Sequence, residues 1–155
     1  MEGIAREIHK TLIKKKKTVA VAESCTGGLL SEHLSRFSGS SKYFILGVVA
    51  YSNKAKTKIL KVPAKLISKK GAVSKEVALK MAQQVRKIAQ TDLGIAVTGI
   101  AGPTGGTVQK PVGTIFIALR SKNKEICKEL RLRGKRANIR KKATTKSLEL
   151  LNTIL

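Results

Sequence analysis

The run Val19 to Gly28, VAVAESCTGG, carries an apolar segment straight into Glu23, Ser24, Cys25 and Thr26 and then into two glycines. Two chemistries are open to it. Ser24 and Thr26 suit the start of a helix, where a hydroxyl accepts from a free backbone N–H. Ser24 is also an alcohol that turns nucleophilic once a neighbouring group removes its proton. Imidazole is the usual base, yet the chain has only His9 and His33, neither in a glycine-rich or polar motif, and its single aspartate is Asp92. Lysine remains: burial and surrounding positive charge lower its pKa until the neutral amine can serve as a base. Lys56, just after a second apolar run and near other cations, is the candidate for that condition, and Tyr51, five residues before it, is a candidate to relay the proton or to hydrogen-bond a developing oxyanion. Cys25, at a helix start in a basic protein, reads either as a thiol activated for attack or as a small core filler. Cys127, in an alternating strand, is expected to be inert.

Two further segments carry residues of the same kind. Tyr51, Ser52, Asn53, Lys54 and Lys56 follow the apolar run YFILGVVA, and GIAGPTGGTVQKPVG follows LGIAVT. The glycine-rich segment has amides enough to wrap a phosphate or hold an oxyanion, although GxxxxGK[ST] does not occur and it is no P-loop. Gly27 and Gly28 add amides at a helix start, where the partial positive charge favours an anion. No clustered His, Cys or carboxylate spacing suggests ligands, so the expectation is metal-independent chemistry without a cofactor.

These segments act together only if the elements between them converge. Ile4, Ile8 and Leu12 predict a helix over about 2–14, ended by the solvated run Lys14 to Lys17. TVAVA reads as a short buried strand. The next helix opens at Thr26-Gly27-Gly28, carries Leu29, Leu30, Leu34 and Phe37 with His33 at its surface, and stops at Gly39. YFILGVVAYS is apolar nearly throughout and reads as a central strand covered on both faces. Asn53 caps a short lysine-rich helix, Pro63 opens another that ends near Gly71, and Ser74 caps the clearest helix, with Val77, Met81, Ala82, Val85, Ile88 and Ala89 on one face. LGIAVT and TIFIALR are further buried strands, and a turn at Asn123 leads to an alternating strand near Ile126 to Leu132. The last helix is expected to bury Ile139, Ala143, Ser147, Leu151 and Ile154. Alternating elements with a late hairpin predict a single α/β domain over 1–155, three layers (α/β/α) around a mostly parallel, mixed sheet with one antiparallel pair. In such sheets ligands gather at the carboxyl ends of strands, where the loops after Ala22, Ala50 and Val97 would meet.

Composition agrees with one domain. Of 155 residues 42% are apolar but only 3% are aromatic and none is Trp, so the core must be Ile, Leu, Val and Ala. Thirty-two Lys and Arg against nine Asp and Glu give a net charge of +23. That charge suits a polyanionic partner or an anionic small substrate. Its spread through every quarter of the chain, and the scarcity of aromatics for stacking on bases, weigh against nucleic acid as the main partner. Two cysteines without CxxC spacing fit a reducing cytoplasm, and no apolar run reads as a signal peptide or a membrane span.

Five ordered motifs, AESCTGG at 22–28, YSNKAK at 51–56, GAVS at 71–74, TGIAGPTGGT at 98–107 and KPVGT at 110–114, resemble the C-terminal domain of competence-damage protein CinA over about residues 5–152. That family includes stand-alone nicotinamide-nucleotide amidohydrolases. The resemblance implies hydrolysis of the carboxamide of nicotinamide mononucleotide to nicotinate mononucleotide and ammonia. It puts the nucleophile on Ser24 and the assisting groups on Tyr51 and Lys56. Substrate contacts would come from Thr26, Gly27, Gly28, Asn53, from Thr98, Gly99, Gly102, Gly105 and Gly106, from Lys110 near the mouth, and from Arg136. The family's basic motif appears as Gly134, Lys135, Arg136 and Arg140, with Lys135 in place of the usual aspartate, and Lys54 stands where an acidic residue is common. Full-length CinA proteins carry a nucleotide-processing domain ahead of this one, and the chain reads as a stand-alone form. The resemblance also implies a homo-oligomer, a dimer. The alternative is a non-catalytic module that holds a nucleotide or nucleic acid on its basic surface.

Overall fold

A computed structural model describes residues 1–155. The elements run α1 (Glu2–Lys15), β1 (Val19–Glu23), α2 (Leu29–Ser35), β2 (Phe44–Val49), α3 (Asn53–Lys58), α4 (Ala64–Lys70), α5 (Lys75–Ala89), β3 (Leu93–Gly99), β4 (Thr114–Arg120), β5 (Glu125–Arg131) and α6 (Arg136–Asn152). The strands form one sheet in the order β2-β1-β3-β4-β5. β1 pairs in parallel with both β2 and β3, while β4 runs antiparallel to both its neighbours. Four strands thus share one direction. Because β4 lies between β3 and β5, the antiparallel pairings number two, not one.

Alternation along the strands divides the core. Val19, Val21, Ile95, Val97, Ile115, Ile117 and Leu119 face α1, α2 and α6. On the other face Ala22, Ala96 and Ala118 stand in register across β1, β3 and β4. This row of methyl groups lets α5 approach with Val77, Ala78, Met81, Ala82 and Val85. Gly94 marks the closest approach, since a Cβ there would sit 2.2 Å from the Ala82 carbonyl oxygen. The layers are helix, sheet, helix, as the element order predicts.

β2 departs from expectation. It is an edge strand, not a central one, and Ile45 and Val49 are 48% and 49% exposed. An apolar run shows a strand but not how many faces other elements cover. Smaller differences concern helix ends and faces. Ser52, not Asn53, caps α3 by accepting from the Ala55 N–H at 3.0 Å. Ile88 lies about half exposed, and Ile154 falls beyond α6. His33 is buried, 6% exposed, where a surface position was expected.

Candidate active site

β1 ends at Glu23, between β2 and β3, and the chain connects these neighbours over opposite faces of the sheet. It reaches β2 through α2 on one face, and β3 through α3, α4 and α5 on the other. Such a switch point opens a crevice at the carboxyl ends of the strands. Ser24 is the first residue past β1, held to the sheet by its own N–H on the Val97 carbonyl at 3.0 Å.

From α3 the Lys56 side chain runs back toward this turn. It is 2% exposed, and its Nζ lies 3.0 Å from Ser24 Oγ, 3.1 Å from the Ala50 carbonyl oxygen and 3.4 Å from that of Tyr51. An ammonium has three hydrogens and finds three acceptors here. A neutral amine keeps two N–H groups on the carbonyls and turns its lone pair to the Ser24 hydroxyl, the arrangement a general base requires. Burial pulls Lys56 below the ordinary 10.5. The neighbouring Cys25 sulfur opposes this with a smaller upward pull, and desolvation raises the Cys25 thiol itself to about 12, so it stays protonated at neutral pH. Cys25 is core filler, not an activated nucleophile. The histidines stand apart: His9 faces Tyr43 and Phe37, and His33 is buried on α2.

Glu23 organises the turn. Fully buried, its carboxylate accepts from Thr26 Oγ1 at 2.6 Å, from the N–H groups of Gly28 and Leu30, and from the N–H and hydroxyl of Ser31. The anion at the start of α2 is therefore the protein's own carboxylate. The Gly27 N–H is also spent, on the Ser24 carbonyl. Gly27 and Gly28 take φ of +59° and +100°, the left-handed conformation that this reversal needs and that glycine adopts without strain. From α6, Arg140 donates through Nε to the Cys25 carbonyl at 3.1 Å and through a terminal nitrogen to that of Thr26 at 2.7 Å.

Beside Ser24 an open cleft of about 250 Å³ is lined by Ser24, Cys25, Tyr51, Arg136 and the Gly99–Gly105 loop. The amides of Cys25, Ala101, Gly102, Thr104 and Gly105 donate to no protein acceptor, which leaves them free for an anion. Arg136 spans the cleft, donating to the Gly102 carbonyl at 2.9 Å and to the Tyr51 hydroxyl at 2.6 Å. One backbone carbonyl and one side-chain hydroxyl thus hold Arg136, with no acidic partner.

Of the expected site residues, Ser24, Tyr51, Lys56, Gly99, Gly102, Gly105 and Arg136 come together. Tyr51 is 55% exposed and its hydroxyl meets Arg136; only its carbonyl meets Lys56, so the relay to Lys56 has no geometric basis. Thr26, Gly27, Gly28, Asn53, Thr98, Gly106 and Lys110 do not line the cleft. Thr26 belongs to the Glu23 cage, and Asn53 is exposed at the start of α3. Thr98 Oγ1 donates to the Ala72 carbonyl, Gly106 packs on the Val112 backbone, and Lys110 Nζ donates to the Lys70 carbonyl at the end of α4. Sequence reasoning missed the structural work of Glu23 and Arg140. The spacing of Arg136 and Arg140, one helical turn, is the signal that both point to the same side of α6. A larger cavity of about 650 Å³ opens at the opposite end of the sheet, around Lys17, Arg86 and Asp92, far from Ser24. No helix is long and apolar enough to cross a membrane.

Fold and site define a class: a three-layer α/β/α domain with a buried serine–lysine pair at the switch point of its sheet. The chain belongs to the CinA family, since the family model described as the CinA C-terminal domain matches residues 1–155. It is 48% identical over 155 residues to a CinA-like protein of Syntrophus aciditrophicus, covering 99% of this chain and 37% of that protein. Among solved structures it resembles the competence/damage inducible protein CihA from Agrobacterium tumefaciens, with a TM-score of 0.95, 37% identity, and coverage of 98% of this chain and 93% of the other. It also resembles a competence-damaged protein (CinA) superfamily protein from Escherichia coli, with a TM-score of 0.95, 31% identity, and coverage of 99% and 90%. The chain spans a little over a third of the length of such curated relatives.

Proposed function

We propose that this domain hydrolyses the carboxamide of a pyridine nucleotide, nicotinamide mononucleotide, to the carboxylate and ammonia. The observation that carries the reading is the desolvated Lys56 amine 3.0 Å from Ser24 Oγ. Lys56 takes the hydroxyl proton as Ser24 Oγ attacks the amide carbon, and the carbonyl π electrons move to oxygen. The unpaired amides beside the nucleophile receive that oxyanion, an interaction worth about 10²- to 10³-fold in rate per donor. Collapse expels the nitrogen, which takes the proton from Lys56 and leaves as ammonia. Water, deprotonated by the same amine, then attacks the acyl ester and restores Ser24. Arg136, over the cleft, supplies a fixed positive charge for the substrate phosphate, and the net charge of +23 raises its rate of encounter.

Ammonia release from nicotinamide mononucleotide, measured against nicotinamide riboside and free nicotinamide, tests the reading. Ser24→Ala is expected to reduce turnover to background, and Lys56→Ala by about 10²- to 10⁴-fold. Parental rates in both variants would overturn it.

A further inference from the structure

We propose that Arg140 is a positioning residue: it orients the turn after Ser24 so that the amide of Cys25, which lines the cleft, stays available to an oxyanion formed at that serine. The inference rests on the serine–lysine reading above. It starts from the direction of three peptide groups. In a trans peptide the C=O and N–H point opposite ways. The Cys25 carbonyl is held by Arg140 Nε at 3.1 Å, so the Thr26 N–H of the same peptide points away from the guanidinium. The Ser24 carbonyl is held by the Gly27 N–H at 3.1 Å, so the Cys25 N–H points away from Gly27. Arg140 also holds the Thr26 carbonyl at 2.7 Å, in the peptide whose N–H, on Gly27, makes that last bond. The Cys25 amide itself donates to no protein acceptor and lines the cleft. Native proteins leave a buried donor unpaired only for a reason. A free amide on the residue after a nucleophile is placed to receive negative charge formed there.

The choice of arginine follows from the fork. Its Nε and terminal nitrogen reach two successive carbonyls at once, which a lysine point charge cannot match in direction. Gly27 makes room for it: a Cβ there would lie 3.0 Å from the Arg140 terminal nitrogen. Glu23 fixes the turn from the start of α2, and Arg140 fixes it from α6 in the same helical layer. Without Arg140 two carbonyls lose their donors, the 26–27 peptide is free to rotate, and the Gly27 N–H that fixes the Ser24–Cys25 peptide is released with it.

The test uses two readouts on the intact chain. A fluorophosphonate labels an activated serine: Oγ bonds phosphorus, fluoride leaves and the proton passes to the base. Intact mass reads the adduct whatever the natural amide is, while ammonia release gives kcat and KM. Arg140→Gly is expected to slow both labelling and kcat by about 30-fold or more, with KM within about threefold, as for loss of oxyanion donors. Millimolar guanidinium should restore labelling at least about tenfold where equal ammonium does not, and Arg140→Lys should fall between. Circular dichroism separates lost fold from lost orientation, and if Arg140→Gly unfolds, Arg140→Lys decides by the same criterion. Parental labelling rates in the folded variants, or a parent whose Ser24 is not labelled, overturn the positioning role. A parent that labels at Ser24 yet releases no ammonia overturns the amidase reading and leaves the positioning role standing.

Discussion

Lys56 is the residue on which the proposed chemistry turns, and its environment gives that chemistry a pH signature. Burial lowers its pKa from 10.5, so the neutral amine becomes available at lower pH than an exposed lysine would allow. As a general base Lys56 works only when deprotonated. The kcat/KM for ammonia release is therefore expected to rise with pH through the folded-state pKa and to level off above it. A pH–rate profile with its rising limb at or above 10.5, or with none, would contradict the assignment. Tyr51 acts elsewhere. Its hydroxyl orients Arg136, so Tyr51→Phe should raise KM by about 3- to 10-fold with a smaller effect on kcat, the loss expected of one hydrogen bond of about 1 kcal/mol.

The β1–α2 junction shows how one buried carboxylate builds an element. Glu23 satisfies three backbone N–H groups and two hydroxyls, so removing it leaves several buried donors unpaired at once. Each unpaired donor costs about 1–3 kcal/mol, and Glu23→Ala is expected to lose at least about 3 kcal/mol in denaturant unfolding. His33 on α2 responds to pH. Desolvation holds its folded-state pKa below 6.5, so beneath that value the unfolded chain binds more protons than the folded one. Stability from this group is complete above pH 6.5 and falls as pH drops through the lower, folded-state value. Melting between pH 7 and 5 should show this loss, and His33→Gln should flatten it. β2 teaches the converse lesson about elements. FILGVV is a strand by composition, yet nothing in its six residues states that β1 would cover only one of its edges.

Across the whole molecule, charge is the dominant surface feature. Seven of the 32 Lys and Arg side chains meet an acidic side chain, which leaves 25 without an acidic partner. Mutual repulsion at that density opposes compaction and is screened by salt over a Debye length of about 10 Å at 0.1 M. The melting temperature should therefore climb as sodium chloride is raised, by several degrees for about 1 kcal/mol of relieved repulsion. A flat response would show that the cations lie too far apart to matter. The homo-oligomer implied by the family resemblance remains a proposal. The unpaired β2 edge, with Ile45 and Val49 half exposed, is the kind of surface that association covers. Light scattering is expected to read twice the chain mass of 16.7 kDa.

Local chemistry carried a long way here. Val19 to Gly28 spells strand, polar turn and helix start within ten residues, and helical spacing in Lys75–Ala89 announces the α5 face because periodicity needs no distant partner. Ser24 and Lys56 stood out because the inventory of bases left few others. Which oxygen Lys56 would face, that Glu23 would fill the anion site at α2, and that Arg140 would reach a turn more than a hundred residues earlier were set only when six helices closed on five strands. Hydrogen-bond partners and burial belong to pairs of residues, and pairs remote in the chain become neighbours only through packing.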